Sequence, residues 1–252
     1  MAYQSVLQEA RDLAELMRAK LKLGITPIKD IFSLLEDQGI FVVRMPIEGA
    51  SLSGAFYYDK ADDSAKILIN SSRPYTHQIF TAAHEFCHYL LDKDQQMILE
   101  EDDGIKSPIE KRADAFAANF LMPEEGVRFY ISKTLQREKK LSDDDLVKIQ
   151  QEFQVSWTAL IHRLHNLGYA FDESYQEKLT HTNILTWKAL QSGTYIESLV
   201  SNGQYSLPSD FNRLAYQAYF DDKISIGRLS ELLRKSQEET FDIINEMKKA
   251  YA

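Results

Sequence analysis

Disulfide chemistry is the first thing this chain lacks. Cys87 is its one cysteine, which excludes an internal disulfide framework and leads us to expect a reducing, cytoplasmic setting. Long apolar runs are missing as well. No stretch of eighteen apolar residues occurs, and the opening MAYQSVLQEARDLAELMRAK is polar and helix-patterned, so neither a membrane span nor a secretory leader is expected. Positive charge is in deficit: 29 Lys and Arg face 38 Asp and Glu, for a net charge of −9. Nucleic-acid binding driven by phosphate neutralisation needs the opposite balance, so nucleic acid is not expected as the main partner. Repeats and low-complexity tracts are absent too. What the chain does have is 252 residues, 44% of them apolar, enough to bury a core in one large domain or two small ones.

Leu7, Ala10, Leu13, Leu16, Met17 and Leu21 recur at helical spacing up to Gly24, which predicts a first helix. Pro27 opens a second, IKDIFSLLEDQ, which stops at Gly39 and leads into a strand, IFVVRM. AFYYD and KILIN, joined by the polar turn KADDSA, read as a hairpin. From Pro74 to about Lys93 an apolar stripe of Ile79, Ala83, Phe86, Cys87 and Leu90 marks an amphipathic helix. Another runs from Pro108 to about Leu121, with Ile109, Ala113, Phe116, Ala117 and Phe120 as its stripe and Pro123 as its end. The run Glu100, Glu101, Asp102, Asp103 between them reads as an acidic loop. Beyond, LSDDDLVKIQQEFQVSWTALIHRLHNLGY reads as helix, tight turn near Gln154 and Val155, and helix. The rest of the chain is again mostly helical. The expected fold class is α+β: mostly helical, a small antiparallel sheet packed on the helix at 74–93, and a helical C-terminal region. The expected division is at about residue 170, with a linker at 169–182 and 171–252 as a C-terminal helical domain.

His84-Glu85-Phe86-Cys87-His88 is an HExxH motif inside a predicted helix. Residues four apart on a helix differ by about 40° in direction, so both imidazoles can reach one metal ion from one face. Glu85 sits about 60° from His88, beside the metal without being forced to bind it. Zinc lowers the pKa of a bound water towards about 7, and Glu85 is then placed as the general base that accepts its proton.

A catalytic zinc needs a third protein ligand and an open position. Glu110 is the expected third ligand, with Asp114 four residues on and on the same side of its helix, able to bond the outer nitrogen of a ligand histidine. The competing reading is that Glu110 only closes a capping box with Ser107; Glu100, Glu101, Asp102 and Asp103 are then the alternative ligands. Cys87, off the ligand stripe by about 60°, reads as a small buried side chain rather than a ligand. Tyr57, Tyr58, Tyr75, His77, His162 and His165 are open candidates for stabilising an oxyanion. The strand Ser53 to Tyr58 is read either as an exposed edge that pairs with a substrate backbone or as an ordinary internal strand. Segment 145–169 has a helix-turn-helix pattern, as does 224–240, but Lys148 and Arg163 are thin cover for a phosphate backbone, and a structural or protein-docking role is expected instead.

FTAAHEFCHYLL followed by EKRADAFAANFLMP resembles the ImmA/IrrE metallopeptidase family, and Glu110-x-x-x-Asp114 is similar to the second signature of thermolysin-like gluzincins. GITPIKDIFSLLEDQGI, SGAFYYD, KILIN and FQVSWTALIHRLHNLGY match in order, so the resemblance covers about residues 10 to 170. Many relatives have glycine where Cys87 stands, and the N-terminal repressor-like domain of some has no counterpart here. The resemblance implies that 1–170 is a zinc endopeptidase domain. It also implies a protein substrate, a repressor-type helix-turn-helix factor of a mobile element or stress regulon such as a phage encodes. Its rivals are a non-catalytic antirepressor or DNA- or protein-binding regulator, and an antitoxin-like partner.

Overall fold

A computed structural model describes residues 2–48, 51–101, 107–180 and 203–250. The chain opens with helix α1 (Ala2–Lys20), then α2 (Ile31–Glu36), strand β1 (Ile40–Met45) and the hairpin β2 (Leu52–Asp59) and β3 (Ser64–Asn70). The two long helices of the motif region follow, α3 (Tyr75–Leu91) and α4 (Pro108–Leu121), with strand β4 (Met97–Glu101) between them. Then come α5 (Glu124–Phe129), the two-residue β5 (Lys140–Leu141), α6 (Asp143–Phe153), α7 (Trp157–Asn166), the two-residue β6 (Ala170–Phe171) and α8 (Tyr175–Thr180). Three further helices complete the described chain: α9 (Ser209–Phe220), α10 (Ile226–Leu233) and α11 (Gln237–Ala250).

The α+β, mostly helical class is as expected, with two corrections. The sheet is mixed rather than antiparallel: its order is β1-β3-β2-β4, β1 runs parallel to β3, and β2 is antiparallel to both neighbours. The acidic stretch at Glu100 and Glu101 belongs to strand β4 and is not a loop; Asp102 and Asp103 lie outside the described residues. The second helix also starts later than expected, because Asp30 in extended conformation caps it, accepting from Phe32 N and Ser33 N at 3.0 and 3.1 Å.

The registers set two cross-sheet rows towards α3: Val42, Ile67, Phe56 and Ile98, and Arg44, Ile69, Gly54 and Glu100. Helix α3 lies on that face. Gly54 permits the close approach, since a Cβ there would stand 2.3 Å from Thr81 Cγ2 and 2.9 Å from Glu85 Oε1. On the far side of α3, α4 packs through Phe86, Phe116 and Phe120, whose ring centroids are 5.2–6.0 Å apart. Each such buried ring contributes roughly 1.5–3 kcal/mol, so the two helices carrying the motif residues are fastened by apolar burial before any polar contact is counted.

Two arginines, the buried Arg18 and the half-buried Arg163, fix the end of α4. Arg18 of α1 donates to Gly24 O at 2.8 Å and to the carbonyls of Phe120 and Thr26, and Arg163 of α7 donates to Met122 O at 2.9 Å. Burial holds both guanidinium pKa values down at about 10. The carbonyls that a helix end leaves unpaired are thus satisfied by charged donors. One core cluster runs from Ala10 to Tyr169, whereas Ala215, Leu229, Leu233 and Ile244 form a small separate one under α9–α11.

Candidate metal centre

Helix α3 presents His84 and His88 to Glu110 of α4 and sets Glu85 beside Gly54 of β2, all three α3 side chains buried. His84 Nε2 lies 2.9 Å from Glu110 Oε2, His88 Nε2 lies 3.5 Å from Glu110 Oε1, and the two Nε2 atoms are 3.1 Å apart. In a tetrahedral site with bonds of about 2.0–2.1 Å, neighbouring donor atoms stand about 3.3 Å apart. The three contacts bracket that figure, the two histidines each meeting a different oxygen of the Glu110 carboxylate. Ser107 does cap α4, accepting from Glu110 N at 3.4 Å, but the Glu110 carboxylate turns to the histidines.

The outer nitrogens decide which way the lone pairs point. His84 Nδ1 is 3.0 Å from Asp114 Oδ1 and His88 Nδ1 is 2.8 Å from Asp92 Oδ2. A carboxylate only accepts, so each Nδ1 carries a hydrogen, and in the neutral imidazole each Nε2 then offers a lone pair to the centre. In that neutral form two lone pairs and the Glu110 carboxylate converge within 3.5 Å, an arrangement that a cation between them stabilises; among the described residues His84, His88 and Glu110 are one group able to hold a metal ion, and His84, Glu100 and Asp114 are another.

Burial works against a charge on both histidines, yet Glu100, Asp114 and Glu110 lift the pKa of His84 well above the ordinary imidazole value, and Asp92 and Glu110 raise that of His88. Burial likewise opposes charge on Glu110, but its bonds to the two histidines hold it well below the usual carboxylate range. Glu85 is the opposite case: burial pushes it up to about 8, and neither of its oxygens has a hydrogen-bond partner. Such an orphaned, fully buried carboxyl beside a donor triangle marks a place where a further polar group belongs.

The chain belongs to the peptidase M78 family. The model of the IrrE N-terminal-like domain matches residues 35–165, just over half of the sequence and the whole of this centre. Comparison with curated proteins finds no match. Membership of the M78 family gives the site a metallopeptidase character, and the donor set described above suits the metal that the family implies.

Other expected residues of this M78 domain are placed differently. Tyr57 stands on the outer sheet face against Lys66, Tyr58 bonds Asp63, and Tyr75 packs on Phe32 and Arg44. His77 bonds Ser53 at 2.9 Å and is seven residues, about 10 Å of helix, before His84. His162 and His165 both contact Tyr175 on the α7–α8 surface. The oxyanion role thus gains no support from any of the six. Burial lifts the Cys87 thiol to about 12, which fits a packing residue. Strand β2 is internal, flanked by β3 and β4, so Ser53 to Tyr58 is not an edge; among the described residues β4 is. Segments 145–169 and 224–240 do turn as helix-turn-helix units, with Gln154 and Arg234 left-handed at their turns, but Arg163 of the first points inwards to Met122 O.

Sequence reasoning missed Asp92 and Arg112. Arg112 Nη2 donates to Asp92 Oδ1 at 2.6 Å, so the carboxylate behind His88 is itself held in place. Asp92 stands four residues after His88, the same spacing by which Asp114 was found after Glu110, and that signal was available.

Proposed function

We propose that this protein is a zinc-dependent endopeptidase whose metal is held by His84, His88 and Glu110, and that its substrate is a helix-turn-helix repressor. The observation that carries the reading is the pair of inward Nε2 atoms facing Glu110, with Glu85 orphaned beside them. A zinc ion, when bound, polarises the scissile carbonyl and acidifies a water. Glu85 accepts the proton of the attacking water on a carboxylate oxygen and hands it to the leaving amine. Asp114, Asp92 and Arg112 keep the imidazoles oriented throughout.

The free side of β4 suits an extended peptide. Among the described residues β4 pairs only with β2, leaving a row of backbone groups on its outer side, flanked by the exposed Met97 and Leu99. The substrate class comes from the family resemblance, several of whose members relieve repression by cleaving such regulators. The cytoplasmic setting belongs to the same proposal. Nucleic acid is not the main partner in this reading, because the inward Arg163 leaves Lys148 as the exposed cation of the first helix-turn-helix unit.

The test is Glu85→Gln. It should retain stoichiometric zinc while losing repressor cleavage by at least about a hundredfold. Derepression by the variant without cleavage would transfer the function to docking and refute the peptidase reading.

A further inference from the structure

Glu100 is a buried carboxyl that the proposed mechanism does not use. It is 4% exposed, its Oε1 lies 3.8 Å from His84 Nδ1, and its Oε2 has no hydrogen-bond partner. Strand register explains how it comes to be there. Glu100 pairs across the sheet with Gly54, the one position of its row without a side chain, in the row that faces α3. His84 Nδ1 therefore has two carboxyl groups behind it: Asp114 at hydrogen-bond distance on the partly exposed α4 side, and Glu100, out of hydrogen-bond range, on the dry sheet side.

A buried polar atom with no partner destabilises the fold, and a neutral glutamine or an apolar residue at the same point would avoid an unbalanced carboxyl. Groups of that kind concentrate where a site needs them. The geometry points to Glu100 as a positioning residue for the metal, acting through His84: its buried negative end polarises the imidazole from behind and strengthens Nε2 as a donor. This rests on the reading of His84, His88 and Glu110 as ligands. It differs from the role of Asp114, which fixes the ring by a direct hydrogen bond. Glu100 acts by charge through a low-dielectric gap, where a carboxyl is worth more than it is at the surface.

Glu100→Gln keeps the shape and removes the charge. Three measurements on the full chain test it: zinc affinity by chelator competition, the absorption spectrum of the cobalt(II)-loaded protein, and the Tm of the metal-free protein. We expect zinc to bind about tenfold more weakly, the cobalt bands to shift, and the metal-free Tm to stay level or rise, since an unpartnered buried charge is lost. Zinc affinity within twofold of wild type overturns the proposal. So does a weaker affinity accompanied by a fall in the metal-free Tm, which would make Glu100 a structural residue. His88→Ala separates the two layers: if that variant keeps stoichiometric zinc, the ligand set itself is wrong, and the role of Glu100 falls with it.

Discussion

Gly54 is where a single side chain, by its absence, decides the geometry of the centre. A methyl group there would come 2.3 Å from Thr81 Cγ2 and 2.9 Å from Glu85 Oε1, so Gly54→Ala must push α3 off the sheet or displace Glu85. Overpacking of this kind costs about 1–3 kcal/mol, and urea unfolding should register it. Peptidase activity should fall further than the stability loss alone accounts for, because Glu85 is the group displaced. A variant as stable and as active as wild type would contradict the close approach. HExxH itself was legible in the sequence because its chemistry is confined to one helical turn, and Asp114 because it follows Glu110 by one turn. Glu100 was visible only as an alternative ligand. Its place behind His84 depends on strand pairing between residues 46 apart, Glu100 and Gly54, which no local pattern encodes.

Element boundaries were legible where a cap is written in the chain, as at Ser107, and less so where two starts compete, as Pro27 and Asp30 do for α2. Strand β4 was hidden because five residues ending in two glutamates carry little alternation to read, and pairing with β2 supplies what propensity does not. Helix α6 offers a pH test. Its buried Asp145 accepts from Ser142 N at 3.0 Å and from Arg137 Nε at 2.9 Å. Burial alone would raise the pKa of Asp145, but these donors outweigh it and leave it lowered. A lowered carboxylate stabilises the fold above its unfolded pKa, and that contribution disappears as pH falls through the folded value. Asp145→Asn should therefore cost about 1 kcal/mol at pH 7, and the gap to wild type should close below about pH 4. A gap that is unchanged across that range, followed by urea titration, would mean that the carboxylate charge does not matter.

At the scale of the molecule, the large core gathers α1 to α8 around the sheet, while α9–α11 rest on four buried apolar residues of their own. Among the described residues, this unit reaches the larger body through few contacts. Arg44 and Ser206 exchange backbone bonds at 2.9 and 2.8 Å, which closes the outer edge of β1, and Ser209 bonds Glu36 through its backbone N and its hydroxyl at 3.0 and 2.6 Å. Phe211 meets Phe41 edge-on with centroids 6.0 Å apart. The exposed Leu214, Phe220 and Phe241 add nothing to its core. Local opening is governed by how much buried apolar surface must be given up, and here that amount is small. Backbone amides of α10 and α11 should therefore exchange with deuterium on the order of a hundredfold faster than those of α3 and α4, whose phenylalanine contacts must break together with the larger core. Zinc should slow exchange in α3 and α4, which carry the proposed ligands, and leave α10 and α11 unchanged. Equal protection of α11 and α4 would show instead that the C-terminal helices unfold only with the whole chain, and the boundary near residue 170 read from the sequence would then not be a boundary of stability.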